Sequence, residues 1–422
     1  MKPLHIAIVG YGTAGQTAAL ALSRDGHRVE VFERAAQPGP VGAGFLLQPT
    51  GLQALWQLGL LESALRHGRP VHRLFGDLPS RRGVMDMRYD GLDARLFGLG
   101  MQRGALFELL RAAWNDGDSL HSGCTITNVD CERGVLTEES GRQHGPFDLV
   151  IAADGAASKL RASLDRVEVD APYPWGALWC LLAEGEWPWP SELRQRYQGA
   201  RHMIGILPVG TRPGDATPRV SFFWSLRVNS IDSWRGSGMP AWRARVLELW
   251  PEIESLLADI ADPQTLAVAT YRDVILGRHW HRERLLVIGD AAHSMSPQLG
   301  QGVNMALLDA LALRDALRRS EPLSPQLHAF ASTRRAHVGI YQFWSRWLTP
   351  MFQSDSTLAA TLRDLSLLPM GRLPGGRDNM LRVLTGTRQG WLGRYALDEG
   401  FLRALATTGG QLAAQRWGNA TE

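Results

Sequence analysis

The chain has 422 residues, of which 45% are hydrophobic and 21% charged, an ordinary composition for a globular protein of two or three structural units. Its formal charge is only +3 and its basic residues are spread through every segment, which argues against a nucleic-acid or acidic-membrane partner. Cys124, Cys131 and Cys180 lie far from any paired metal-ligand spacing, so the sequence predicts neither a disulfide framework nor a metal site.

The first predicted elements are a strand, a tight turn and a helix. Residues 4–9 form an apolar run of strand length, and residues 18–22 are strong helix formers. The start of the chain thus leaves no room for a signal peptide, and no apolar stretch reaches the ~20 residues that cross a bilayer. We therefore expect a cytoplasmic protein without membrane contact.

The turn between this strand and helix is built from Gly10, Gly12, Thr13, Ala14 and Gly15. Gly10 permits a sharp turn, Gly12 lets the backbone approach a pyrophosphate, and Gly15 allows the helix to pack closely on the strand. The helix N-terminus offers N–H groups to the anion. Glycines in such a turn can also be purely structural, but the strand before and the helix after them favour a nucleotide site.

The second strand, predicted at residues 28–32, is followed by Glu33 and Arg34. The Glu33 carboxylate lies about where it would accept hydrogen bonds from a ribose 2′-OH. Because an acid there disfavours a 2′-phosphate, this site is predicted to hold FAD or NAD and to reject NADP.

Two later segments have the same strand-to-helix character. A buried strand at residues 147–152 ends at Asp154, a common type of strand exit when taken alone. A second strand at residues 285–288 precedes Asp290, whose carboxylate can accept hydrogen bonds from a polyol chain. A helix predicted at residues 303–318 follows, and its N-terminal N–H groups can hold a phosphate or the negative charge of a reduced flavin. Together the three segments predict FAD.

Between the second and third segments the chain is rich in tryptophan. Strand character is predicted at residues 174–186, 202–210 and 219–227, with Phe222 and Trp224 on one face and Phe223 on the other. Such a sheet could cover the flavin and supply an aromatic pocket. The alternative is that the rings fill the core of a second domain. We expect at least one of them to line the pocket.

These motifs, in this order and spacing, resemble the single-component, FAD-dependent aromatic hydroxylases typified by para-hydroxybenzoate hydroxylase, the group A flavoprotein monooxygenases. The similarity extends to residues 42–49, which resemble the loop beside the isoalloxazine, and to Arg103, which resembles an FAD-contacting arginine. The resemblance implies an α/β fold: a Rossmann-like FAD-binding domain, a mixed β-sheet substrate domain and a C-terminal helical region. The corresponding segments are 1–75, 100–170 and 271–340 for FAD, 76–99 and 171–270 for substrate, and 341–422 for the C-terminal region.

The resemblance also implies roles for individual residues. Asp290 would bind the ribityl chain, Arg103 the phosphate region and Ile126 the adenine edge, while the Asp154 segment would serve both FAD and a transient nicotinamide cofactor. Further cofactor contacts are expected from Gly44, Gly300, Gly302, Val303 and Asn304. Catalytic or substrate contacts are expected from Phe45, Leu47, Phe222, Trp224 and Pro297. His293 is predicted to be a structural hydrogen-bonding residue.

The implied activity is that of a monooxygenase in which NADH or NADPH reduces FAD and O₂ then forms a C4a-hydroperoxide that hydroxylates a small aromatic or heteroaromatic molecule. The alternatives are a flavin dehydrogenase or oxidase, a halogenase-like enzyme, and a non-catalytic FAD-bound redox sensor. A halogenase needs a positioned lysine, and neither Lys2 nor Lys159 is suitably placed. The substrate, the choice between NADH and NADPH, and the oligomeric state are left open.

Overall fold

The structure is a computed structural model that describes residues 2–40, 42–260, 262, 266–319 and 321–417. Its first large element is a six-stranded sheet with the strand order β18-β19-β12-β1-β2-β8. These strands are β1 (His5–Val9), β2 (Arg28–Glu33), β8 (Leu120–Ser122), β12 (Leu149–Ala152), β18 (His281–Arg282) and β19 (Leu285–Val287). All neighbouring pairs are parallel except β18 with β19.

The central strands of this sheet are continuous apolar runs because helices and other segments cover both faces. Helix α1 (Thr13–Arg24) packs against α4 (Arg103–Trp114) and α8 (Gly302–Leu317). Because β1, β12 and β19 are parallel neighbours, the turns that follow them meet at one edge of the sheet. Such an edge is where open α/β sheets bind ligands.

The second large element is a seven-stranded sheet with the order β17-β13-β16-β15-β14-β5-β6, in which only β14 and β5 are parallel. Its strands are β5 (Arg73–Asp77), β6 (Gly83–Arg88), β13 (Val169–Ala183), β14 (Glu192–Gln198), β15 (His202–Arg212), β16 (Asp215–Arg227) and β17 (Ala267–Ile275). One face of the sheet is covered by α5 (Ile231–Leu249), with α6 (Glu254–Leu257) beside it. A second hydrophobic core lies between the sheet and these two helices.

Two three-stranded sheets accompany the large ones. They contain β3 (Gly44–Leu47), β4 (Arg69–Val71) and β7 (Gly98–Gln102), and separately β9 (Ile126–Asp130), β10 (Val135–Glu138) and β11 (Gln143–His144). The remaining elements are the short helices α2 (Pro49–Gln57), α3 (Leu61–His67) and α7 (Asp290–His293), the C-terminal helices α9 (Leu323–Phe352), α10 (Thr357–Arg372), α11 (Pro374–Thr385) and α12 (Glu399–Trp417), and the hairpin β20 (Arg388–Gln389) and β21 (Gly393–Arg394).

The α/β architecture predicted from the sequence is confirmed, and strands are present at all three places in the tryptophan-rich region where they were predicted. Three predicted boundaries cut through strands of the second sheet. The FAD segments 1–75, 100–170 and 271–340 include the start of β5, the start of β13 and the end of β17, yet all three strands pair within the second sheet. Because backbone hydrogen bonds assign a strand to its sheet, we propose boundaries before Arg73, before Val169 and after Ile275. In the described part of the chain, none of the helices combines the length and apolarity needed to cross a bilayer.

Candidate active site

The three glycines after β1 serve different purposes. Gly10 has φ +104°, and a Cβ atom there would overlap the carbonyl oxygen of Ala153. A Cβ atom on Gly15 would overlap the carbonyl oxygen of Gly10. Gly10 and Gly15 are therefore required by the turn and by close packing. A Cβ atom on Gly12, by contrast, would meet nothing within 4 Å, so Gly12 leaves open space in front of α1.

Two helix N-termini are available to an anion at this edge. Neither Gly12, the N-cap of α1, nor Gln301, the N-cap of α8, makes a side-chain capping bond, and neither helix has an acidic residue in its first turn. Thr13 and Ala14 form the first turn of α1, while Gly302 and Val303 begin α8. The unpaired N–H groups and the positive ends of the helix dipoles suit the phosphates and the flavin of FAD.

Asp290 follows β19 after Ile288 and Gly289, at the start of α7, and is exposed. Its Oδ1 atom lies 3.7 Å from the position that a Cβ atom would take on Gly302. The carboxylate and the start of α8 therefore face the same space, where the ribityl chain was predicted. Gly300, with φ +61° and open space around it, completes the turn before the helix.

Glu33 ends β2 beside the glycine turn. One carboxylate oxygen accepts a hydrogen bond from the Tyr11 N–H at 2.8 Å, and the other accepts from the Ala35 N–H at 2.9 Å. Each oxygen has a second lone pair for a ribose hydroxyl. Arg34 is exposed, and Ile126 is buried at the start of β9. These positions fit an adenosine site.

Asp154 follows β12 and has an unusual environment. Its Oδ1 atom is buried and lacks a hydrogen-bond partner in the described part of the chain. Burial raises the pKa of the carboxyl group, and a hydrogen bond with the Ser158 side chain opposes this effect. A buried acceptor without a partner costs ~1–3 kcal/mol. A ligand hydroxyl or amide would remove that cost, so this residue also fits a bound cofactor.

Phe45, from the loop predicted to lie beside the isoalloxazine, is close to Arg103, the residue predicted to bind the phosphate region. The Arg103 guanidinium lies 5.7 Å from the centre of the Phe45 ring. The backbone N–H of Arg103 donates a hydrogen bond to the Ala43 carbonyl at 2.9 Å. Tyr271 of β17 is near Arg103, and burial raises the pKa of its phenol to about 12 against the opposing influence of this arginine. The sequence analysis missed Tyr271, although the run Ala267, Ala269, Tyr271 places small and large side chains on one face of a strand.

Asn304 and Leu47 support the site from within the core. Asn304 is fully buried, and its side chain accepts from the Gln48 N–H at 2.8 Å and donates to the Gly300 carbonyl at 3.1 Å. Its side chain thus fixes the segment after β3 to the start of α8. Leu47 is also fully buried, in the core. Its predicted contact with substrate is wrong, because its side chain points into packed protein.

The seven-stranded sheet turns one face toward β3. A Cβ atom on Gly44 would lie 2.8 Å from the Ser221 Cβ atom. Side chains alternate along a strand, so Phe223 is on the same face as Ser221. Trp179 lies directly opposite Phe223 in the adjacent strand. We call the face that carries Ser221, Phe223 and Trp179 the front face. Both aromatic side chains are partly exposed, and Phe223 also packs against a small hydrophobic cluster that contains Phe352 of α9.

Phe222 and Trp224 lie on the opposite face, beneath α5. The ring centre of Trp224 is 6.0 Å from that of Trp234 and 6.3 Å from that of Trp242, and Phe222 is fully buried against Trp242. The predicted substrate and catalytic roles of Phe222 and Trp224 are therefore wrong, and the core-filling alternative is correct for both. Alternation separates the two faces, but only the packing of α5 decides which face is covered.

Pro297 begins the turn that leads into α8. It is exposed at the start of a short 3₁₀ segment, Pro297–Leu299. The preceding Ser296 is buried, and its carbonyl accepts a hydrogen bond from the Ser345 hydroxyl at 3.3 Å. Helix α9 thus anchors the turn while Pro297 stays accessible, as a residue bordering the flavin would require.

A buried carboxylate stabilises the edge of the six-stranded sheet at which the cofactor is expected to bind, which we call the cofactor edge. Asp309 of α8 accepts hydrogen bonds from the Gly289 N–H at 2.8 Å, from His293 Nε2 at 2.7 Å and from Arg334 Nε at 2.6 Å. These partners lower the pKa of the Asp309 carboxyl to about 2 despite its burial. Gly289 immediately precedes Asp290, so this carboxylate fixes the turn that presents Asp290. The complete burial of His293 and its bond to Asp309 agree with the structural role predicted for it.

The same network reaches His337 of α9. Arg334 Nη1 lies 2.8 Å from His337 Nδ1, and His337 Nε2 lies 2.9 Å from the Gly386 carbonyl. Since a guanidinium only donates and a carbonyl only accepts, Nδ1 must be unprotonated and the ring neutral. Burial and the nearby Arg334 charge lower the pKa of His337 to about 3.

We expect this histidine to make the protein sensitive to acid. The ordinary pKa of histidine is about 6.5, so between pH 6.5 and 3 the unfolded chain binds a proton at His337 that the folded chain does not. The free energy of unfolding therefore decreases as the pH is lowered through that window, by up to ~1.4 kcal/mol per pH unit from this group. Urea unfolding at pH 7 and pH 5 should show a smaller loss for His337→Gln than for the wild type. The exposed His328→Gln variant is the control, and an unchanged loss in His337→Gln would contradict the assignment.

Comparison with known proteins agrees with this geometry. A protein-family model described as "FAD binding domain" matches residues 4–339. The 6-methylpretetramide 4-monooxygenase of Streptomyces rimosus is 28% identical over 408 residues, which cover 90% of this chain and 92% of that protein. The FAD-dependent urate hydroxylase of Klebsiella oxytoca is 27% identical over 340 residues, which cover 78% and 85%.

Solved structures show the same fold. The tetrameric form of 2-methyl-3-hydroxypyridine-5-carboxylic acid oxygenase superposes with a TM-score of 0.74 at 22% identity and covers 93% of this chain and 100% of that chain. Klebsiella pneumoniae HpxO, in complex with FAD and uric acid, gives a TM-score of 0.76 at 21% identity and covers 92% and 98%. With a family match over residues 4–339 and a fitting cofactor edge, this chain belongs to the FAD binding domain family, as the resemblance in its sequence predicted.

Proposed function

We propose that the chain is an FAD-dependent monooxygenase that uses NADH or NADPH and O₂ to hydroxylate a small aromatic or heteroaromatic molecule. The observation that carries the proposal is the front face of the seven-stranded sheet, which brings Phe223 and Trp179 to the side of the sheet that faces β3. A nucleotide-binding site at the edge of the six-stranded sheet would by itself be compatible with many kinds of flavoprotein. An aromatic wall on the β3 side suits a planar substrate.

The cofactor would be held along the edge described above. The N-terminus of α1 at Gly12 would take the pyrophosphate, Glu33 the ribose and Asp290 the ribityl chain, while the N-terminus of α8 would face the flavin ring. FAD, when bound, supplies the electron transfer and the oxygen chemistry. The protein's own residues bind it, orient it and limit access of water.

The substrate would lie between the flavin loop and the front face. Phe45 and Pro297 would border it on one side, and Trp179 and Phe223 on the other. Tyr271 is protonated near neutral pH, as an ordinary tyrosine is, and burial raises the pKa of its phenol further, to about 12, so it can donate a hydrogen bond in this region. This arrangement favours a flat ring that carries a hydrogen-bond acceptor. The proposal includes a cytoplasmic location, supported by the free thiols of all three cysteines.

The decisive experiment measures NADH and NADPH oxidation by the purified FAD-bound protein under ¹⁸O₂, with a panel of phenols, quinolones, indoles and purines. A suitable ring should accelerate the oxidation several-fold, because substrate gating prevents wasteful turnover, and the product should carry labelled oxygen. Product without label would indicate a dehydrogenase. No consumption of NADH or NADPH with any compound would favour a redox sensor instead.

A further inference from the structure

A cysteine, a glutamate and a histidine from three separate segments meet beside the adenosine end of the FAD site. Cys124 follows β8, Glu138 ends β10 and His144 ends β11. His144 Nε2 lies 3.2 Å from Glu138 Oε2 and 3.9 Å from Cys124 Sγ, and all three possible ligand atoms lie within 4.8 Å of one another. Thiolate sulfur, imidazole nitrogen and carboxylate oxygen are the ligands that zinc takes in proteins.

The distances suit tetrahedral coordination. Zinc–ligand bonds of about 2.0–2.3 Å place neighbouring ligand atoms about 3.5 Å apart, and the two distances to His144 Nε2 lie on either side of that value. The Cys124 residue is 7% exposed, and the side chains of His144 and Glu138 are 11% and 20% exposed. An ion could therefore enter with little movement of the backbone, and water could supply a fourth ligand.

Backbone pairing and ring packing hold the three side chains in place. β10 pairs with both β9 and β11, and the Cys124 N–H donates to the Glu33 carbonyl at 2.9 Å. The His144 ring packs edge-on against Phe32, with ring centres 4.9 Å apart. A bound zinc ion would displace the proton of the Cys124 thiol, because coordination requires the thiolate.

We propose that Cys124, Glu138 and His144 form a binding site for one zinc ion. The spacing argument from the sequence predicted no metal site, because Cys124 and His144 are 20 residues apart and Glu138 and His144 are 6 apart. Pairing of β10 with β9 and β11 brings the three side chains together although they are distant in the sequence. The Cys124–Glu33 backbone bond connects the site to the residue assigned to the FAD ribose. The proposal does not depend on the monooxygenase function, since it concerns side chains outside the front face and the flavin loop.

The test is metal binding by the FAD-loaded protein after treatment with a chelator. Equilibrium dialysis should show one Zn²⁺ bound per chain. Co²⁺ in the same site should give the ligand-field bands of tetrahedral cobalt, which lie to the red of the flavin absorption, and Zn²⁺ should bleach them. Failure to bind Zn²⁺ stoichiometrically would overturn the proposal, as would a six-coordinate cobalt spectrum.

Matched variants locate the site. Cys124→Ser should lower the Zn²⁺ affinity at least tenfold and remove the tetrahedral cobalt bands, and Glu138→Gln, a change at a more accessible side chain, should weaken binding as well. Cys131→Ser is the control, because Cys131 is buried to a similar degree but does not belong to this cluster. FAD content and circular dichroism verify folding of each variant. Wild-type Zn²⁺ affinity in Cys124→Ser and Glu138→Gln would refute the assignment.

Discussion

Gly12→Val should fold like the wild type but bind FAD about a hundredfold more weakly, a loss on the order of 3 kcal/mol. A Cβ atom at this position meets no protein atom within 4 Å, and the backbone, with φ −78°, accommodates any residue. The added methyl groups would instead occupy the space in front of α1 that is assigned to the pyrophosphate. Fluorescence titration of the apoprotein with FAD measures the loss, and thermal unfolding of the apoprotein should show no comparable change.

Gly117→Val is the matched control for this variant. Gly117 is also free of neighbours within 4 Å, is exposed and lies in a turn remote from the glycine-rich turn in sequence. It should bind FAD with unchanged affinity. Wild-type FAD affinity in Gly12→Val would mean that the pyrophosphate does not bind at the N-terminus of α1.

Trp224→Ala should destabilise the protein by ~3–5 kcal/mol, the usual cost of removing a large buried aromatic side chain. Trp224 is 4% exposed and packs against Trp234 and Trp242 beneath α5. Because its ring lies on the face turned away from β3, the folded fraction should release no more hydrogen peroxide per NADH or NADPH consumed than the wild type does. Urea unfolding measures the stability, and a peroxide assay measures the coupling.

Two further variants serve as controls, one for the stability measurement and one for the peroxide assay. Trp391 is 62% exposed, so Trp391→Ala should change stability by no more than ~0.5 kcal/mol. Trp179→Ala removes a ring from the front face and should raise peroxide release, since a shortened wall admits water and loosens the substrate. If Trp224→Ala raised peroxide release while keeping full stability, our assignment of the two faces would be reversed.

The nucleotide end of the site could be predicted from the sequence because its requirements are local. Gly10 and Gly15 are fixed by contacts within one strand–turn–helix unit, and Glu33 follows from the next strand of the same unit. The placement of Asp290 could also be predicted from the sequence, since the carboxyl ends of neighbouring parallel strands lie at the same edge of a sheet. Short-range patterns of this kind specify both a local conformation and the chemistry that it presents.

Tertiary structure alone decided which residues face the substrate and which support the cofactor edge. The alternation of Phe222, Phe223 and Trp224 defines two faces, but their assignment depends on where α5 packs. Asp309 connects Gly289 with Arg334 across long separations in the chain, so no local pattern reveals its role. The Cys124, Glu138 and His144 cluster likewise arises from strand pairing. In each case the determining free energy is that of burial and pairing between distant segments, which the order of residues along one strand or helix does not encode.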